Sequence, residues 1–93
     1  MKRLLVPSKA FVRSAKRWTG KHPDQSEELA ELLRLMAEDV HHPALKTHKL
    51  KGEMTGSWAS SGGYDLRVVF QLIRHEGKAA ILLEAVGTHD DVY

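Results

Sequence analysis

Three short stretches gather the residue types that proton transfer and anion binding need. The first is Lys46-Thr47-His48-Lys49-Leu50-Lys51-Gly52, three lysines around one histidine. In an extended segment Lys49 and Lys51 share a side, which suits contact with successive phosphates. The same lysines also describe a solvated basic loop. The second is Asp65 with Arg67. Two apart on a strand they face the same way, so they either pair with one another or supply a proton acceptor and a phosphate-stabilising cation. The third is Gly87-Thr88-His89-Asp90-Asp91-Val92-Tyr93. It follows an apolar run that reads as a strand, and a turn rooted on a buried strand projects its side chains reproducibly. The alternative is a frayed, solvated tail.

Imidazole, with an unperturbed pKa of ~6.5, gives or takes protons near neutrality. Of the six histidines, His22, His41, His42 and His75 fall at expected helix ends or in a hairpin turn and read as surface or capping residues. His48 and His89 differ, because each stands among groups able to bind a phosphodiester. His41 and His42 with His48 make a poor metal site, since adjacent histidines chelate badly and no acid stands at a ligand spacing. No cofactor is expected. The absence of cysteine excludes disulfides, cysteine–zinc sites and thiol catalysis. No P-loop, GxSxG or HExxH pattern is present. Gly62-Gly63 reads as a turn rather than a phosphate cradle. Trp18 and Trp58 read as packing residues, with base stacking an option for Trp58 beside the basic loop.

Positioning these residues is the task of a single small domain, since 93 residues leave no room for a second. Arg3 to Val6, closed by Pro7, reads as a strand, and Ser8 can cap the helix that follows. Phe11, Ala15 and Trp18 recur at helical spacing, with Lys9, Arg13, Lys16 and Arg17 on the other side. Gly20 to Pro23 breaks that helix. A second is expected from Asp24, whose spacing to Glu27 resembles a capping box, with Leu29, Leu32, Leu33, Met36 and Val40 as its apolar stripe. His41-His42-Pro43 ends it. Glu53 to Ser60 reads as a strand and Ser60-Ser61-Gly62-Gly63 as the turn after it. Tyr64, Leu66, Val68, Phe70 and Leu72 then alternate with more polar neighbours, a period-two strand. His75-Glu76-Gly77-Lys78 is a hairpin turn. Ala79 to Val86, apolar on both faces except at Glu84, should be the interior strand. The expected class is α+β, with order β-α-α-β-β-β and a helical hairpin packed on one face of the sheet. The other face is left to solvent or to a partner.

Charge is distributed in blocks. Residues 1–22 hold seven Lys or Arg and no acid, whereas residues 23–43 hold six acids against Arg34 alone. The net charge is only +2, so the arrangement rather than the sum would orient the protein on a polyanion. No apolar run approaches the ~18 residues of a membrane span, and the first seven residues are too short an apolar stretch for a signal peptide. The expected compartment is the cytoplasm, and no membrane partner is expected.

Taken in order, "HKLKG", "GYDLRVVF" and "GTHDDVY" resemble the RelE/ParE superfamily of type II toxin–antitoxin toxins, closest to its YafQ-like branch. The resemblance spans 1–93 as one domain, with its specific motifs in residues 45–93. It implies a ribosome-dependent mRNA endoribonuclease, neutralised by a cognate antitoxin, whose partners are the ribosome and mRNA. The branch's functional histidines, aspartate and terminal aromatic fall on His48, His89, Asp65 and Tyr93. Its further histidine has no counterpart among Ser60-Ser61-Gly62-Gly63, its tryptophan is Leu66, and its arginine is Ala85. The cation role therefore passes to Arg67 or Lys51. Lys9, Arg13 and Lys16, with Lys46, Lys49 and Lys51, are expected to dock on ribosomal RNA. The same superfamily includes ParE-like toxins that bind gyrase without hydrolysis, and a decayed toxin that only binds antitoxin or RNA would share the pattern.

Overall fold

The computed structural model describes residues 2–63 and 65–92. Strand β1 (Leu4–Pro7) leads into α1 (Lys9–Lys21) and α2 (Ser26–Glu38). Strands β2 (His48–Lys49), β3 (Trp58–Gly62), β4 (Leu66–His75) and β5 (Lys78–Gly87) follow, then a one-turn helix α3 (His89–Val92). The five strands lie in the order β1-β5-β4-β3-β2. Only β1 and β5 run parallel; the other pairs are antiparallel. The class is α+β as expected, and β5 is an interior strand, although β4 rather than β5 holds the middle of the sheet. Among the described residues, no helix is long and apolar enough to cross a membrane.

Each helix starts where the local chemistry allows. Ser8 Oγ accepts the N–H of Phe11 at 3.0 Å and caps α1. The helix buries Phe11 and Trp18. Its end is closed by the N–H of His22 bonding to the Trp18 carbonyl at 2.8 Å. The expected capping box at Asp24 and Glu27 is not formed. Pro23 opens a single 3₁₀ turn over Pro23–Gln25, which absorbs Asp24, so α2 starts at Ser26 behind Gln25 with no side-chain cap. From there Leu29, Leu32 and Met36 are buried as the stripe requires.

The middle of the chain departs most from expectation. Glu53 is not in a strand: Gly52–Met54 is a 3₁₀ turn, closed by Thr55 N–H on the Gly52 carbonyl and Ser57 N–H on that of Met54. The strand begins at Trp58 and runs through Ser60, Ser61 and Gly62, which sequence alone assigns to a turn. Ser60 is tolerated in the core because Thr47 Oγ1 lies 2.7 Å from its Oγ, while that hydroxyl also donates to the Val40 carbonyl at 2.6 Å. Gly62 is a packing residue, since a Cβ there would stand 3.1 Å from a methyl of Leu32. Tyr64, expected at the start of β4, lies outside the described residues.

Strands β4 and β5 join through a tight turn in which Glu76 and Gly77 both have positive φ, 52° and 79°. That is the conformation a two-residue hairpin needs. Pairing runs from His75↔Lys78 to Phe70↔Leu83, then jumps to Val69↔Ala85. Glu84 is the extra residue of a bulge, and it inverts the alternation along β5. Ile81 and Leu83 face the core before it and Val86 after it, against Leu66, Val68 and Phe70 of β4. The opposite face carries Arg67, Gln71 and Glu84, and there Glu84 accepts bonds from Ser57 Oγ at 2.7 Å and Gln71 Nε2 at 3.4 Å.

Helix α1 packs on β5 and α2 on β3. One contact fixes the first of these docks. Strand β1 ends opposite Leu83, where Ser8 N–H takes the Leu83 carbonyl at 3.1 Å. Beyond that point, the N–H of Val86 is met by Ser14 Oγ of α1 at 3.0 Å, and the same hydroxyl donates to the Phe11 carbonyl. Ser14→Ala should therefore strand a buried N–H and lower stability by about 1–3 kcal/mol. Urea unfolding measures it; a loss under about 0.5 kcal/mol would mean that the bond does not hold α1 to β5.

Candidate functional site

The site forms where β4 begins and β5 ends. Asp65 is half-buried one residue before β4, and its Oδ1 accepts the backbone N–H of His89 at 3.3 Å. This bond ties the chain after β5 to the start of β4. Thr88 and Asp91 lock the same chain a second way. Thr88 N–H donates to Asp91 Oδ2 at 3.1 Å, and Asp91 N–H donates to Thr88 Oγ1 at 3.2 Å. This is a reciprocal capping box at the start of α3, and T-x-x-D in the sequence was its signal. The hydrogen bonds from Thr88 hold the Asp91 carboxyl below its ordinary range, with Lys21 and Arg17 adding to the effect. A depressed pKa stabilises the folded form at neutral pH, and that contribution fades as pH falls through the lowered value. The tail is thus a built helix turn as far as Val92.

His89 itself is exposed, with Nδ1 3.7 Å from Asp90 Oδ1. Arg67 is half-buried on the helix-free face, and its Nη1 donates to the Leu66 carbonyl at 3.1 Å. It forms no ion pair with Asp65, so that reading of their spacing does not hold. Instead Arg67 lines a hollow of about 180 Å³ together with Lys46, Ser61 and Gly63. The lysine that joins Arg67 is thus Lys46, expected only as an RNA-docking residue, and not Lys51.

His48 lies elsewhere on the same face. It pairs with Ala59, and Ala59 with Val69, two residues from Arg67 on β4. Two strand spacings put β2 about 10 Å from β4. The His48 ring is exposed, with Nδ1 3.0 Å from the Lys46 carbonyl, and it makes no hydrogen bond to Asp65. The structure thus brings Asp65, His89 and Arg67 to one end of the sheet and sets His48 at its edge. Lys49 points to the other face, with Nζ 5.4 Å from the Trp58 ring centre, and the His41 ring meets that indole edge-on at 5.6 Å. Lys51 precedes the 3₁₀ turn at Gly52 and does not line the hollow beside Arg67. Tyr93 lies outside the described residues.

The remaining histidines behave as the sequence suggests. His42 Nδ1 accepts the Ala44 N–H at 3.0 Å and caps a 3₁₀ turn, and His22 closes α1. Lys9, Arg13, Lys16 and Arg17 are all exposed on α1. That helix packs on β5 beside edge strand β1, while Lys46 and Lys49 stand at the opposite edge. The two basic groups therefore flank the sheet rather than forming one patch.

Gly87 permits the whole arrangement. A Cβ there would stand 2.6 Å from the Asp91 Cβ, closer than such atoms approach. Gly87→Ala should push α3 aside at a cost of about 1–3 kcal/mol and release His89 from Asp65. The check is the backbone amide resonance of His89, which should move as it does in Asp65→Asn. An unmoved resonance in a folded Gly87→Ala protein would show that the close approach does not hold His89.

No sequence-family model matches the chain, and no curated protein sequence does. Solved structures do. YafQ from E. coli strain BL21(DE3) superposes with a TM-score of 0.78 at 18% identity, covering 99% of each chain. The E. coli DinJ–YafQ toxin–antitoxin complex gives 0.76 at 19% identity, over 100% of this chain and 99% of that one. A YoeB/ParE toxin from Agrobacterium tumefaciens gives 0.74 at 19% identity, over 92% and 98%. With near-complete coverage of both chains at TM-scores of 0.74 to 0.78, the chain has the fold of the YafQ and YoeB/ParE toxins.

Proposed function

We propose that this protein is the toxin of a type II toxin–antitoxin pair and cleaves mRNA on the ribosome. The observation that carries the reading is the bond from His89 N–H to Asp65, which holds the chain bearing a titratable ring at the start of β4, where Arg67 pairs with Gly87. A phosphodiester seated there meets what RNA cleavage needs. A base takes the 2′-hydroxyl proton, the 2′-oxygen attacks phosphorus, and the bond to the 5′-oxygen breaks as an acid protonates it. Cations at the hollow stabilise the added charge of the phosphorane. His48 and His89 stand as the proton-transfer pair, reaching the strand from the sheet edge and from α3. Arg67 supplies the cation, with Lys46 beside it. Asp65 acts through its grip on the His89 backbone, as a positioning residue. Fold alone does not decide function, so the residues carry the argument. The DinJ–YafQ complex among the structural neighbours supports a cognate antitoxin as partner.

Expression of the chain alone should arrest growth with new mRNA ends visible by primer extension. His89→Ala should reduce cleavage about 10²- to 10⁴-fold while the protein stays folded. Undiminished cleavage by a soluble His89→Ala protein would remove His89 from the mechanism. Growth arrest with intact mRNA and inhibited gyrase supercoiling would move the assignment to the gyrase-binding class.

The flanking cations make a second expectation. Ribosome binding should weaken with salt by about one counterion per neutralised phosphate. Changing Lys9, Arg13 and Lys16 together to Glu should weaken it further. Co-sedimentation indifferent to both would contradict docking through α1.

A further inference from the structure

A separate cavity lies on the helix side of α3. The end of α1 and the end of β5 enclose a cavity of about 150 Å³, lined by Arg17, Trp18, Lys21, His22 and Asp91. Trp18 is 4% exposed, and its indole N–H is the single buried side-chain polar atom without a hydrogen-bond partner among the described residues. Buried donors rarely go unmet, so an unpaired one on a residue that lines a cavity calls for an acceptor there. The His22 ring lies against Trp18 with centroids 4.1 Å apart and planes tilted by 34°. Arg17 and Lys21 form no ion pair among the described residues. The one carboxylate present, Asp91, is already engaged by Thr88. The cavity therefore offers a neutral donor and two cations against a single committed anion.

We propose that this cavity binds a phosphate group, with the Trp18 indole N–H donating to one of its oxygens and Arg17 and Lys21 supplying charge. The proposal rests on the cleavage reading only for the source of the phosphate. His89 stands two residues before Asp91, on the same helix turn, so a strand cleaved at His89 would place a neighbouring backbone phosphate here. The site is then a register clamp that fixes which linkage meets His89. A free phosphate would use the same donors.

Indole N–H resonances of the ¹⁵N-labelled protein test this, because the chain holds only two tryptophans and Trp58 serves as the control. Inorganic phosphate, but not chloride at equal ionic strength, should shift the Trp18 signal and leave that of Trp58 in place. A short RNA blocked by 2′-O-methyl groups should shift Trp18 as well. Binding of this uncleavable strand is scored without cleavage, so failure of the catalytic reading leaves the result intact. Trp18→Phe keeps an aromatic side chain, removes the donor, and should weaken phosphate binding about tenfold, as read from the backbone amides of Arg17 and Lys21. Lys21→Gln, at an exposed position, should weaken it several-fold without touching the core. Asp91→Asn should strengthen it. A shift with phosphate but not with RNA supports the site and assigns it to a free anion. An unmoved Trp18 resonance in both titrations would overturn the proposal and leave the cavity to water.

Discussion

Strand β5 is longer than the parallel neighbour that covers one of its edges, and much of the molecule follows from that mismatch. Strand β1 stops opposite Leu83, yet β5 continues inside the protein to Gly87. The backbone groups beyond Leu83 need partners from somewhere other than a strand. Ser14 meets the N–H of Val86, which sets the height and rotation of α1 on the sheet. With α1 placed, Trp18 closes over the end of β5, and the basic face of the helix turns outward. The same end of β5 carries Gly87, whose missing side chain lets Asp91 fold back. The backbone accounting of one strand thereby places both the catalytic candidate His89 and the cavity behind it.

The bulge at Glu84 has a parallel consequence. Without it, strict alternation would turn Val86 away from the core and change the face from which the chain leaves β5. The extra residue restores Val86 to the apolar side and leaves Glu84 on the face with Gln71 and Arg67. A carboxylate there is stable because Ser57 and Gln71 satisfy it. Residues after β5 then emerge beside Asp65.

Sequence patterns revealed those parts whose signals are local. Ser8 before Phe11, the Glu76-Gly77 turn and the apolar run of β5 each act through neighbours in the chain, so their reading survived folding. The failures are places where a distant group overrides local preference. Ser60-Ser61-Gly62 has the composition of a turn, but Thr47 satisfies Ser60 and Leu32 needs the space at Gly62. Asp24 has the spacing of a cap, but Pro23 starts a different turn first. At the site, Asp65 and His89 were legible as candidates and their bond was not, since 24 residues separate them. The pairing of Arg67 with Lys46 across a hollow depends on the register of β3 and had no sequence signature.

Charge completes the arrangement by excluding one approach. Helix α2 lies over β3 on the helix side and presents Glu27, Glu28, Glu31 and Glu38 to solvent. Its single arginine gives nothing to an incoming anion. Arg34 is held by Glu31 at 2.7 Å and Glu38 at 3.1 Å, and the bond to Arg34 keeps the Glu31 carboxyl below its usual range. A polyanion is thus repelled from the middle of the helix layer and attracted at the two edges of the sheet. On one edge stands α1 with Lys9, Arg13, Lys16 and Arg17, and on the other Lys46 and Lys49. The surface spanning those edges without crossing α2 is the helix-free face, where Arg67 and His48 lie. A nearly neutral chain acquires a preferred orientation in this way: its acids close the wrong side, and its cations mark the margins of the right one.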